Sequence, residues 1–319
     1  MQPGVSVVLP ILNEERFLAD AIAAVLAQEY GGELEVILAL GPSRDRTNEI
    51  AVGLRAKDSR IVLVDNPTGR TAAGLNAAIA AAQFEIICRI DGHAEISKTY
   101  IADAVEIMQS SNAVNVGGIM AAVGKTPFED AVARAMRSPI GVGGARFHIG
   151  GSAGPADTVY LGVFKKSALQ AAGGYDERFI RAQDWELNFR LREAGGVIWF
   201  DPRLAVIYRP RPNLKALAKQ YFEYGRWRRA VTRHHKGTIN YRYLAPPLAT
   251  LGIFFSLVLG VLVHPLFLIP ALTYASAILL ASLVIGKSWS ERIALPAVLT
   301  TMHLSWGTGF LTSPANLVK

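Results

Sequence analysis

Apolar residues recur along the first two thirds of the chain in two alternating rhythms. Short, near-continuous apolar runs at 5–9, 34–40, 60–65, 84–90 and 113–118 predict strands, and the stretches near 14–28, 45–57, 71–82 and 98–110 predict helices. In the first helix Leu18, Ile22, Val25 and Leu26 fall at helical spacing and form one apolar face. Strands that are apolar on both sides and alternate with amphipathic helices predict a parallel sheet covered on both faces. Ligands of such sheets bind beyond the carboxyl ends of the strands. From 137 to 157 glycines dominate (Gly141, Gly143, Gly144, Gly150, Gly151, Gly154), which predicts either a mobile loop beside a site or an irregular connection. A strand at 158–164, a helix at about 183–194 and short strands near 197–200 and 204–208 complete the body.

The final third has a different pattern. Residues 244–263 and 265–286 are almost uncharged, and each is long enough to cross ~30 Å of hydrocarbon as a helix. His264-Pro265 leaves room only for a tight hairpin between them. A third segment, 293–312, carries His303, Ser305, Trp306 and Gly307, so it is expected to span or to lie partly in the interface. Buried helices of a soluble protein are the alternative, but they need polar faces, and 251–285 offers none.

Ahead of the spans, 213–236 sets Leu214, Leu217, Tyr221, Tyr224 and Trp227 among Lys and Arg. This predicts an amphipathic interface helix with a basic face for anionic headgroups. A nucleic-acid reading of the same cluster is weak because it abuts a membrane segment. Arg226, Arg228, Arg229, Arg233, Lys236 and Arg242 precede the first span, Lys287 and Arg292 follow the second, and the hairpin has neither Lys nor Arg. The expectation is a multi-pass protein of the cell (inner) membrane, with the N-terminal body and the 287–292 loop in the cytoplasm. Three regions result: 1–212, a basic helix over 213–243, and a hydrophobic region over 244–319.

Composition narrows the function. Only 18% of the 319 residues are charged and 51% are hydrophobic, against about 25% charged in ordinary soluble domains. Disorder is excluded and a lipid-embedded part is expected. The lone Cys88 excludes an intramolecular disulfide framework and a cysteine-rich zinc site. A net charge of +7 suits an acidic partner such as a nucleotide phosphate or an anionic lipid. The motifs of P-loop proteins, zinc proteases and serine hydrolases are absent from the sequence.

Four places offer chemistry. Asp91 follows the apolar run 84–90, next to Gly92, and a carboxylate at a strand end suits a divalent cation bound to a diphosphate; a plain turn is the alternative. Asp184 opens a helix, where it serves either the helix dipole or, as a general base, the removal of a hydroxyl proton. Glu186 competes for that role, two positions further along the helix. Pro10, Asn13 and Glu14 form a strand-to-helix turn suited to a nucleotide. Arg70, ahead of the next-but-one helix, is placed to meet a phosphate.

In order and spacing these pieces resemble the family 2 glycosyltransferases over roughly 5–210. The matching stretches are VSVVLPILNE at the start, SRDRT at 43–47, NPTGRTAAGLNAAI at 66–79, IDGH at 90–93, GGYDERF at 173–179 and QDWELNFRLR at 183–192. With its hydrophobic tail the chain is most similar to the membrane-attached branch that includes the succinoglycan-type glucosyltransferases. The resemblance implies an α/β fold of the GT-A nucleotide-diphosphosugar type followed by a C-terminal helical membrane region. It also implies inverting hexosyl transfer dependent on Mn2+ or Mg2+. A nucleotide-sugar, UDP-linked by preference, is then the donor, and a lipid-linked saccharide or glycolipid is the acceptor.

Asp91 takes the place of the first Asp of the family's Asp-x-Asp, and His93 stands where the second would be. Asp184 takes the place of the catalytic base, with Gln183 in place of the usual Glu; Pro10, Asn13 and Glu14 match the nucleotide-binding turn. Arg226-Trp227 matches the Arg-Trp of the processive members, but Glu223 replaces their Gln. Ala39–Ser43 lacks the Asp that usually reads the base. These replacements motivate one alternative, a catalytically silent membrane protein that binds a nucleotide or partner. A processive synthase with its own channel is disfavoured, since two or three spans are too few to enclose a pore.

Overall fold

The computed structural model describes residues 2–318. They form two compact units, one running to Ala121 and resuming over Gly150–Tyr208, the other comprising Ala122–Ile149 and the chain from Arg209 onward. The 1–212 region of the sequence pattern is therefore interrupted at 122–149.

The first unit begins with β1 (Val5–Ile11), α1 (Leu18–Leu26), β2 (Leu34–Leu40), α2 (Thr47–Lys57), β3 (Ile61–Asp65), α3 (Thr71–Ala81) and β4 (Ile86–Arg89). It continues through a short β5 (Glu95–Ile96), α4 (Tyr100–Ser111) and β6 (Asn115–Ala122). Three helices of the second unit follow: α5 (Pro127–Met136), α6 (Pro139–Val142) and α7 (Arg146–Ile149). The first unit then resumes with β7 (Gly154–Pro155), β8 (Tyr160–Lys165), α8 (Lys166–Ala171), α9 (Gln183–Glu193) and β9 (Ile198–Tyr208).

The strand order is β3-β2-β1-β4-β8-β6-β9-β5, with β7 on β9. β3, β2, β1 and β4 pair parallel to one another, whereas β8 is antiparallel to both β4 and β6. The sheet is mixed, which corrects the all-parallel expectation. Near-continuous apolar sequence reports burial on both faces, and that burial is independent of strand direction. The two segments expected at 197–200 and 204–208 form one continuous strand, β9, which runs through Asp201-Pro202. Gly118 of β6 lets the β9 backbone approach closely: a Cβ there would lie 2.0 Å from the Leu204 carbonyl oxygen.

Both faces of the sheet are covered. Val5, Val7, Leu9 and Ile11 of β1 pack with Leu18, Ile22 and Val25 of α1 and with Tyr100 and Ile101 of α4. Val8, pointing the other way, joins Leu75 of α3 and Leu187 and Leu191 of α9. The alternation along β1 thus anchors two helix layers. The chain fills β2 and β3 on one side of β1 and β4 on the other. That topological switch opens a crevice at the carboxyl ends of β1 and β4.

The second unit continues with α10 (Leu214–His234), α11 (Tyr241–Leu262), a 3-10 turn at Pro265–Leu268, α12 (Ile269–Ile285) and α13 (Trp289–Leu311). Two of its helical stretches, Tyr241–Leu262 and Pro265–Ile285, are long and apolar enough to cross a membrane. Their most apolar windows are only 17% and 11% buried, so they do not resemble the core helices of a soluble protein. The third hydrophobic segment, 293–312, lies in α13, which buries Leu295, Val298, Leu299, Met302 and Phe310. Gly309 brings α13 against α10, since a Cβ there would lie 2.0 Å from the Phe222 carbonyl oxygen.

The basic helix α10 is more occupied than its composition suggests. It buries Leu217, Tyr221 and Trp227. Arg228 lies over the Tyr243 ring at 4.6 Å and Arg229 over Phe310 at 5.0 Å. Arg233 donates to the carbonyls of Ser313 and Pro314, both at 2.9 Å. These guanidinium groups bind other parts of the same unit, and the expected lipid-facing basic face is correspondingly reduced.

Candidate functional site

At the switch point the turns after β1 and β2 are laced together. Asn13, at φ 57°, donates its N–H to Ser43 Oγ (3.1 Å), and its Oδ1 accepts from the N–H of Arg44 (2.8 Å). The Glu14 N–H donates to Thr47 Oγ1 at 2.7 Å and the Glu15 N–H to Asp45 Oδ2 at 3.2 Å. Thr47's hydroxyl donates to Asp45 Oδ1 at 2.5 Å, and this bond, with backbone N–H groups, holds the Asp45 carboxyl below the usual carboxylate range. The SRDRT stretch thus ties the Asn13-Glu14 turn in place. Pro10 lies one residue inside the end of β1 in register with Ala39, where its missing N–H is harmless because β4 pairs with β1 only as far as Val8.

The loop before α3 closes the same edge. Gly69, at φ 63°, packs so that a Cβ would lie 3.2 Å from Pro42 and 3.4 Å from Leu12. Arg70 is exposed just after it, and its N–H donates to Thr68 Oγ1 at 3.1 Å. Among the described residues its guanidinium makes no hydrogen bond or ion pair with Asn13, Glu14 or Asp91, so the structure puts it at the same edge without joining it to them.

Asp91, Gly92 and His93 follow β4. Gly92 lets the backbone approach: a Cβ there would lie 3.0 Å from Glu14 Cγ and from Ile11 Cδ1. His93 Nδ1 lies 2.8 Å from Glu14 Oε1, linking the ends of β4 and β1 across the crevice. The candidate turn, the candidate metal ligands and the switch point therefore coincide.

Asp184 joins them through a residue that the motifs do not contain. Arg89, the last residue of β4, has only 5% of its side chain exposed. Its Nη1 donates to Asp184 Oδ1, and its Nη2 and Nε donate to Asp91 Oδ1 at 3.2 and 3.3 Å. One guanidinium thus spans both carboxylates, with the buried phenol of Tyr175 beside it. Ala182, in the left-handed region at φ 60°, turns the chain into α9 just ahead of Asp184.

The Asp184 side chain keeps 35% of its surface exposed while protein atoms crowd its remaining sides. Burial pushes its carboxyl above the usual range, the like charge of Asp91 adds to this, and Arg89 opposes it. The Asp184 carboxyl therefore holds a proton more readily than a free aspartate does. Glu186, the rival, is 1% exposed and forms a two-pronged pair with Arg190, both contacts at 2.7 Å. Arg190 also donates to the carbonyls of Ala172 and Gly174. Glu186 therefore holds α9 to the loop ahead of it. Arg89 was readable in principle: a charge at the end of a buried strand requires a partner.

Asp91 and His93 could hold a divalent cation between them and a donor diphosphate. Asp91 Oδ2 takes no hydrogen bond among the described residues, which hold no group of three or more His, Cys, Asp or Glu around one point. The protein would then supply two ligands and leave the remaining positions to diphosphate oxygens and water, as hard cations at phosphates require.

Glycosyl transferase family 2 matches the chain over residues 6–172. The chain belongs to that family. It is 32% identical over 308 residues to the succinoglycan biosynthesis protein ExoA of Rhizobium meliloti (strain 1021), covering 95% of this chain and 93% of that protein. It is 25% identical over 317 residues to a dolichyl N-acetyl-alpha-D-glucosaminyl phosphate diacetamido-dideoxy-glucuronosyltransferase of Methanococcus voltae, covering 96% and 95%. Among solved structures, the mannosyltransferase PcManGT of Pyrobaculum calidifontis, in complex with GDP-Man and Mn2+, is 17% identical with a TM-score of 0.64, covering 98% of this chain and 88% of that one. Residues 1–349 of S. aureus TarS, with UDP, give 15% and 0.53, covering 94% and 89%. The first unit therefore has the GT-A fold, and this family 2 member is a glycosyltransferase of polysaccharide or glycoconjugate synthesis. The catalytically silent alternative is set aside.

Proposed function

We propose that this family member is a membrane-attached, inverting enzyme that moves a sugar from a nucleotide-sugar to a lipid-linked saccharide or glycolipid at the cytoplasmic face. The observation that carries the reading is the Arg89 bridge, which brings Asp184 to the same crevice edge as Asp91. Asp91 and His93 would hold the divalent cation, Mn2+ or Mg2+, that accompanies the donor diphosphate. When bound, the cation neutralises charge on the departing nucleoside diphosphate. The Asn13-Glu14 turn cradles the nucleotide, with UDP as the first candidate, and Arg70 adds a cation for the phosphates. Asp184 takes the proton from the acceptor hydroxyl as its oxygen attacks the anomeric carbon opposite the leaving group. The bond to the diphosphate oxygen breaks as the new glycosidic bond forms, inverting the configuration.

The membrane part of the reading is supported by the two exposed apolar helical stretches of the second unit and by the Lys and Arg flanking them. The Methanococcus relative is named for transfer to a dolichyl-linked sugar, which supports a lipid-linked acceptor here. The test is a panel of nucleotide-sugars offered to the purified full chain with Mn2+, read by binding and by slow donor hydrolysis. The reading expects one donor to bind and to be hydrolysed, with Asp91→Asn weakening both. Failure of every nucleotide-sugar to bind would overturn it.

A further inference from the structure

Arg89 sits where its charge bears on both halves of the proposed chemistry. Its side chain is buried at the end of β4, and the charged or titratable groups that act on it are Asp184, Asp91 and the phenol of Tyr175. Without the guanidinium, two carboxylates would confront each other in a poorly solvated crevice. With it, Asp91 is already paired before any divalent cation arrives. Arginine's planar fork is what permits one side chain to serve two carboxylates.

We propose that Arg89 is a positioning residue with two linked effects: it aims Asp184, and it competes with the divalent cation for Asp91. The cation then binds weakly to the protein alone and well only when the donor diphosphate brings further negative charge. This inference rests on the roles proposed for Asp91 and Asp184. It implies that removing Arg89 moves cation affinity and turnover in opposite directions, which loss of structure cannot do.

The test uses the full chain in detergent, with calorimetric Mn2+ binding in the absence of donor, melting temperature, kcat and donor KM. Arg89→Met removes the charge at similar length. It is expected to bind Mn2+ about tenfold more tightly, because a unit positive charge a few ångströms away is gone. Its kcat should fall about a hundredfold as Asp184 loses its orientation. Arg89→Lys keeps the charge without the fork, so Mn2+ affinity should stay near parental while kcat recovers only in part and donor KM hardly moves. A folded Arg89→Met that binds Mn2+ no more tightly than the parent overturns the inference. If that variant does not fold, the Lys variant decides, and unchanged kcat overturns the inference. Asp91→Asn separates the two levels: if it binds Mn2+ like the parent, the metal-ligand assignment itself has failed.

Discussion

Replacing Glu186 by Gln tests whether the two acidic residues of the first turn of α9 have separate jobs. Glu186 is 1% exposed and grips Arg190 through both carboxylate oxygens, while Arg190 retains 24% exposure and two carbonyl acceptors. Breaking a buried ion pair from one side costs about 3–5 kcal/mol when the remaining charge is fully stranded. Here Arg190 keeps its carbonyls and some solvent, and Gln still offers one oxygen, so about 2–3 kcal/mol is expected. For a unit of this size that corresponds to a fall in Tm of roughly 5–10 °C. Thermal melts followed by tryptophan fluorescence measure it, with Trp185 next in sequence as a local reporter. Turnover below the melting range should stay within a few-fold of the parent. An unchanged Tm with turnover lost a hundredfold would refute the reasoning and move Glu186 into the chemistry.

Four other outcomes follow from the structure. Gly309→Ala places a methyl group 2.0 Å from the Phe222 carbonyl oxygen, so α10 and α13 must part; melts should show a loss of about 1–3 kcal/mol. Gly53→Ala in α2 meets nothing within 4 Å and should gain about 0.5–1 kcal/mol in the same assay. Burial holds the His148 imidazole down at about 4, below its unfolded value of about 6.5. Its contribution is therefore complete above about pH 6.5 and is lost as pH falls towards about 4; between pH 6.5 and 5 about 1 kcal/mol should go, and His148→Phe should flatten that part of the Tm–pH curve. Finally, imidazole at position 93 should make donor binding and activity prefer Mn2+ over Mg2+, with His93→Asp narrowing the gap. Equal behaviour with both ions in the parent would count against His93 as a ligand.

The strands of the first unit were legible because each is apolar on both sides, and Leu18, Ile22 and Val25 announced α1 by their spacing. Strand direction was not legible. Val163 and Phe164 of β8 read the same whichever way the chain runs, and their antiparallel pairing follows from the path between β6 and β8. That path was hidden too. Ala131, Val132, Ala135 and Met136 form an apolar face in α5, and a short amphipathic helix does not name the unit against which it packs. In the candidate site, Asp91 and Asp184 are picked out by the motifs, whereas Arg89 had to be seen between them. Arg228, Arg229 and Arg233 read as a basic face for anionic headgroups because composition cannot distinguish a charge offered to a headgroup from one laid over a ring or a carbonyl.

Asp184 is the proposed base, and Asp184→Asn tests that role most directly. Asn keeps an oxygen for Arg89 and the size of the side chain, but it cannot take the acceptor proton. Turnover with the donor found in the panel should fall by about 10²–10⁴-fold, while the melting temperature and nucleotide-sugar affinity stay close to parental. A well-folded Asp184→Asn protein that binds its donor and turns over at nearly the parental rate would contradict the account.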